Sequence, residues 1–180
     1  MADAAPVIPL RRVVNLALRV ILVAYALFQL HTSFFGMLEP LIQRGIFLGL
    51  GLGSIFLLVA LSHLDARKSL PAAFLHILLA AAGYYVCFHI AFSSRRLSNF
   101  MVELTAWDMT LGVIAIVLVL EAARRTIGIF LPLLALAGIA YYYFGHYLVS
   151  GTWQPPRVSA LTFIETYYAS TETIFGYMVD

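Results

Sequence analysis

The side chains with the greatest capacity for chemistry in this sequence are ionisable groups placed within or beside long apolar runs. In an apolar environment such groups are costly, and they commonly mark an ion path, a proton relay or a buried ion pair. A long arginine side chain one or two turns from a helix end can instead reach polar surroundings. The groups are Arg19, Arg44, His76, His89, Asp108 and Glu121.

The two histidines do not form a metal site by spacing. His76 and His89 are 13 residues apart on one predicted helix, so they lie on different turns and cannot share a metal ion. Each is more typical of a hydrogen-bonded histidine in the packed interior than of a metal ligand. Cys87 is the single cysteine, and no HExxH, CxxC or Ser/His/Asp pattern is present. We therefore predict no catalytic, cofactor or metal residue and do not expect an enzyme, although a small membrane enzyme using His76, His89 or Asp108 stays an alternative.

A sharper set lies at the end of the fourth apolar run. Glu121, Arg124 and Arg125 have the spacing i, i+3 and i+4, which brings them together on one helix face. Two compatible interpretations follow: an ion pair that ends the helix at a membrane interface, or an anchor for a partner subunit. At the other end of the same run, Trp107 is typical of an interfacial belt and Asp108 can cap the helix.

Composition shows which environment must hold these groups. Of 180 residues, 62% are hydrophobic and 11% are charged, and the mean hydropathy is +0.93. Soluble domains have about 45–50% apolar and about 25% charged residues. A chain this short cannot bury so much apolar surface, so we predict an all-α integral membrane protein in contact with lipids. The net charge of +2 and the scattered basic residues argue against nucleic acid as a partner.

Hydropathy divides the chain into three parts. Residues 1–12 form a polar head, residues 13–148 a transmembrane domain, and residues 149–180 an amphipathic or interfacial segment. Five spans are expected within the domain, at about 13–35, 41–62, 69–92, 107–123 and 126–148. Gly45, Gly49 and Gly53 recur every four residues in the second span, which predicts a face for close helix packing. The first span has no small-residue cleavage site after it and is expected to stay uncleaved, with the N-terminus cytoplasmic by the distribution of Lys and Arg.

The charged set belongs to a longer familiar block. Residues 107–128, WDMTLGVIAIVLVLEAARRTIG, resemble the "WD…LG…LEA.RR..G" block of TRAP (tripartite ATP-independent periplasmic) transporters, particularly their TAXI subclass. Similar likenesses occur at residues 41–44, 131–145 and 171–176, so the resemblance covers most of residues 40–176. One departure is Thr173, which stands where the family usually has glycine. Glu172, within the likeness at residues 171–176, is a candidate interface residue.

The resemblance implies an ion-gradient-driven transporter of the bacterial or archaeal cytoplasmic (inner) membrane. A periplasmic substrate-binding protein delivers an organic acid to a large multi-span permease, which holds the substrate and sodium sites. This chain corresponds to the small membrane component, a scaffold without its own cofactor, either separately encoded or part of a fused polypeptide. The alternative is an unrelated helical membrane scaffold or assembly factor. Neither the substrate nor the oligomeric state follows from the residues.

Overall fold

The structure, a computed structural model, describes residues 7–36, 38–65, 69–97 and 105–148. These residues form helices joined by short turns, with no strand among them, as the all-α prediction requires. The predicted amphipathic segment 149–180 and its Glu172 lie outside the described residues. The helices are α1 (Val7–Phe35), α2 (Pro40–Asp65), α3 (Leu70–Phe92), α4 (Ser94–Leu97), α5 (Ala106–Thr126) and α6 (Phe130–Leu148).

Four of these helices are long and apolar enough to cross a bilayer: Pro9–Phe35 of α1, and the whole of α2, α3 and α5. A hydrocarbon core of roughly 30 Å requires about 20 apolar residues in a helix. The apolar part of α6, Phe130–Phe144, is shorter. The chain is thus a helical membrane protein with four long apolar helices and one shorter one, which agrees with the fold predicted from the sequence.

Glycine and proline set where the helices begin and end. Gly36 and Gly128 have φ angles of 100° and 101°, the left-handed conformation that stops a helix, and they follow α1 and α5. Because of the turn at Gly128, α6 begins at Phe130 rather than near residue 126. Pro132 therefore lies in the first turn of α6, where a missing N–H removes no helix hydrogen bond. Ser69 caps α3 by accepting a hydrogen bond from the Ala72 N–H at 3.3 Å.

Packing is centred on α2 and α3, which are antiparallel and in contact along their length. Helix α5 closes the core against both, with Leu111, Ala115 and Leu118 buried. Helix α1 packs on α2, and α6 packs mainly on α5. Large apolar side chains of α1 and α6 remain exposed, such as Phe34 and Phe130 at about four-fifths of their surface. In a bilayer, this apolar surface faces lipid or another helix.

The bundle has two polar ends, which we call the Glu39 end and the Arg11 end. The Glu39 end holds the start of α2 and α5 and the end of α3. At the Arg11 end the Arg11 side chain of α1 forms an ion pair with Asp65 at the end of α2, and α3 begins and α5 ends there.

Candidate functional site

The most completely buried charge in the described residues is Asp108, in the first turn of α5 at the Glu39 end. Its side chain has no exposed surface. Both carboxylate oxygens accept from the Arg96 guanidinium, with Nη1 to Oδ2 at 2.9 Å and Nη2 to Oδ1 at 2.7 Å. This two-point geometry is the strong form of an ion pair. The pair fixes α4, which carries Arg96, to the start of α5.

Thr105 explains why Asp108 is oriented this way. Thr105 is the N-cap of α5, and its hydroxyl oxygen accepts from the Asp108 N–H at 3.3 Å. In return, Asp108 Oδ2 accepts from the Thr105 N–H at 3.0 Å and from its hydroxyl at 2.5 Å. This reciprocal arrangement is a capping box, so Asp108 acts from the third helical position rather than as the cap itself.

One further polar side chain lies near this ion pair, and a separate hydrogen bond joins α4 to the chain before α2. His89 Nε2 of α3 lies 4.0 Å from Asp108 Oδ1. The Ser94 hydroxyl, which is buried, donates to Glu39 Oε2 at 3.2 Å and joins α4 to the chain just before α2. We call Glu39, His89, Ser94, Arg96, Thr105 and Asp108 the Asp108 cluster. Because four segments of the chain meet in this cluster, its polar contacts have a structural, fastening role: they hold the helix ends together.

An apolar groove lies beside the cluster, between the first turns of α2 and the last turns of α3. Its volume is about 400 Å³. The lining is apolar except for the Ser94 hydroxyl, so the groove suits an apolar group rather than a polar substrate. The lining residues are Ile42, Ile46, Phe88, Ala91, Phe92 and Ser94.

At the opposite end of α5, Glu121 forms a triad with two arginines. Arg124 donates through Nε to Oε2 and through Nη2 to Oε1, both at 2.8 Å, and Arg125 Nε donates to Oε1 at 2.6 Å. About a quarter of the Glu121 side chain and almost half of the Arg124 side chain are exposed. The triad thus neutralises the carboxylate within α5 and leaves part of the Arg124 guanidinium at the surface.

The three glycines of α2 that were predicted as a packing face, Gly45, Gly49 and Gly53, all face α3. A Cβ atom on Gly45 would lie 2.9 Å from the backbone oxygen of Cys87, and one on Gly49 would lie 2.9 Å from the Cys87 Cβ. On Gly53 it would lie 2.1 Å from the ring of Tyr84. Each distance is below normal van der Waals contact, so α2 and α3 approach this closely only because the three side chains are absent.

The remaining predicted residues are distributed as follows. Trp107 points outward from the first turn of α5, with 55% of its surface exposed. Arg44, which we expected to extend toward the interface, is buried with 5% exposed. His76 is buried at the Arg11 end of α3, where its ring stacks on the His63 ring of α2 with centroids 5.1 Å apart. The structure places His76 and His89 at opposite ends of α3.

Several residues of these sites were missed at the level of sequence. Thr105-x-x-Asp108 before an apolar run is a capping-box signature, and it was available as a signal for the N-terminus of α5. Arg96 carried no such signal, because its contact depends on the turn between α3 and α4. In the described ranges, no three His, Cys, Asp or Glu side chains are placed to hold a metal ion.

The geometry therefore describes a helical membrane bundle whose Asp108 and Glu121 carboxylates are both bound by arginines of the same chain. No known protein-family model matches the chain, and no curated protein or solved structure is significantly similar to it.

Proposed function

We propose that this chain is the small membrane component of a TRAP transporter and acts as a helical scaffold beside the large transport subunit. The observation that carries the proposal is the Glu121–Arg124–Arg125 triad. These residues are the most distinctive part of the sequence resemblance, and they form one compact charged group at a helix end. A scaffold needs such a group where it meets a partner.

The binding of arginines to the Asp108 and Glu121 carboxylates supports a scaffold role rather than a place on the transport path. Asp108 is buried and doubly bound by Arg96, and both oxygens of Glu121 accept from arginines. A sodium ion would have to displace an arginine to bind either carboxylate. Under the proposal, the substrate and sodium sites therefore belong to the large subunit, and a periplasmic binding protein delivers the organic acid there.

The exposed apolar surface supports a partner within the membrane. Helices α1 and α6 leave large apolar side chains uncovered, while the triad at the end of α5 directly precedes α6. A large multi-span subunit packed in this region would meet apolar side chains in the bilayer and Arg124 at its edge. The proposed location is the cytoplasmic (inner) membrane of a bacterium or archaeon.

The experiment that tests this function is recovery of the transporter assembly with the triad removed. Glu121→Ala combined with Arg124→Ala is expected to reduce recovery of the intact assembly by at least about threefold, because the charged group through which α5 would contact the large subunit is lost. The measurement is the ratio of large subunit to this chain after affinity purification in a mild detergent.

The matched control is Arg11→Ala combined with Asp65→Ala. It also removes one arginine and one carboxylate that form an exposed ion pair at the same end of the bundle, but on α1 and α2. The control should leave recovery unchanged. Equal recovery for the wild type and the triad variant would contradict an anchoring role, and a stable chain that never carries a large subunit would favour the unrelated scaffold.

A further inference from the structure

One ring nitrogen of His76 is buried and has no hydrogen-bond partner in the part of the chain that the structure describes. Only 3% of the residue is exposed, and its Nδ1 lies 2.5 Å from the carbonyl oxygen of Ala72. A carbonyl oxygen can only accept, so Nδ1 carries the hydrogen in this contact. In the neutral ring Nε2 is then an acceptor, and it is buried with no hydrogen-bond partner among the described residues. A buried polar atom left in this state usually has a specific cause.

His63 adds a second unpartnered nitrogen from another helix. Its ring stacks on that of His76 with centroids 5.1 Å apart and an angle of 22° between the planes. His63 Nδ1 is also buried without a hydrogen-bond partner in the described part of the chain. The two imidazoles are in contact, and each has a buried nitrogen without a hydrogen-bond partner among the described residues. Because two side chains from different helices share this state, we treat them together as one candidate site.

The charges around the pair come from α5 and from the end of α2. Glu121 and Arg125 of α5 both act electrostatically on the His76 ring. The oxygens of Glu121 already accept from Arg124 and Arg125, and Asp65 of α2 is paired with Arg11. A proton on His76 would therefore create a cation that Arg125 disfavours, while the Glu121 carboxylate is already bound by two arginines. The compact arrangement fits the neutral ring.

We propose that His76, where it stacks on His63, is a proton-binding site, and that uptake of one proton by its ring loosens the packing of α2 and α3 against the Glu121 end of α5. The charged ring needs an acceptor for its Nε2–H and a negative neighbour. It obtains them if Glu121 releases an arginine or if water enters between the helices. Both changes open the Arg11 end. This inference concerns the bundle alone and does not depend on the transporter assignment.

The sign of the effect follows from linkage. If the loosened or unfolded chain binds a proton more readily than the compact bundle, stability is lost as the pH falls. We expect the melting temperature of the detergent-solubilised full chain to fall between about pH 8 and about pH 5, the range in which imidazoles titrate. His76→Gln keeps a side-chain donor for the Ala72 carbonyl but cannot take up the proton, so it should reduce this fall by about 3–6 °C.

The matched control is His31→Gln, since His31 is exposed on α1 and stacks only on Phe35 among the described rings. It should keep the wild-type pH dependence. If His76→Gln and His31→Gln both keep that dependence, the proposal is wrong.

A second measurement covers the case in which His76→Gln does not fold. Nitrogen NMR of ¹⁵N-histidine-labelled wild-type protein should show His76 at about pH 8 as the neutral tautomer with hydrogen on Nδ1. It should then show uptake of a proton over the same pH range as the fall in melting temperature. A ring that is already charged at about pH 8, or one that stays neutral throughout the fall, would overturn the assignment.

Discussion

Replacing Asp108 by asparagine is expected to lower the free energy of unfolding of the bundle by about 3 kcal/mol. The substitution keeps the shape of the side chain but removes the charge that pairs with Arg96 through two hydrogen bonds of 2.9 and 2.7 Å. The loss is large because the carboxylate is fully buried and the guanidinium beside it is left without its anion. The measurement is the unfolding of the detergent-solubilised chain, monitored by circular dichroism.

The same substitution at an exposed ion pair is the control. Asp65 pairs with Arg11 at the opposite end of the bundle, and about half of each side chain is exposed. Asp65→Asn should therefore cost less than about 1 kcal/mol. Arg96→Gln completes a double-mutant cycle. The loss of unfolding free energy in the variant with both Arg96→Gln and Asp108→Asn should be smaller than the sum of the losses in the two single variants, because both changes remove the same interaction. Equal losses at Asp108 and Asp65 would contradict the fastening role of the Asp108 cluster.

The second large effect is expected at the contact between α2 and α3. Gly49→Ala should destabilise the bundle by about 1–3 kcal/mol, because the new methyl group would lie 2.9 Å from the Cys87 Cβ and the helices must separate. Gly45→Ala should be at least as damaging, since its methyl group would meet the backbone oxygen of Cys87 at 2.9 Å, and backbone cannot rotate away. Thermal unfolding of the wild type, Gly45→Ala and Gly49→Ala in one detergent measures the order of their stabilities.

Two other helical glycines provide matched controls for the same chemical change. Apart from its chain neighbours and the backbone of its own helix, a Cβ on Gly138 of α6 would have no described atom within 4 Å, and one on Gly51 would have only the Tyr25 hydroxyl at 3.7 Å. Alanine at these positions should be neutral or stabilising by up to about 1 kcal/mol, because alanine is the better helix former. If Gly49→Ala and Gly138→Ala had the same effect, the close approach of α2 to α3 would not be a source of stability.

The helical membrane fold could be predicted from sequence because long apolar runs leave few alternatives in a bilayer. The glycine spacing in α2 was visible for the same reason, as a helix of known pitch places residues four apart on one face. The residues at which the helices begin and end were harder to predict from the sequence. The sequence separated the fourth and fifth spans at Arg124 and Arg125, but α5 continues through Thr126, and the left-handed φ of Gly128 then separates it from α6.

The two polar sites depend on contacts between different helices, which spacing along one helix does not give. Asp108 was visible as a capping residue, but its partner Arg96 is brought to it by α4, a one-turn helix between the third and fourth predicted spans. His76 was compared with His89 on its own helix, whereas its neighbour is His63 on α2. Local patterns therefore indicated which residues mattered, and tertiary packing decided their partners.

The most direct test of the proposed function is transport by the purified membrane assembly that contains this chain, reconstituted in liposomes. With an inward sodium gradient and a soluble binding protein loaded with an organic acid, we expect uptake of that acid. Uptake should disappear when this chain is removed and return when it is added back. Undiminished uptake without this chain, or an assembly that contains it but lacks a large multi-span subunit, would contradict the account.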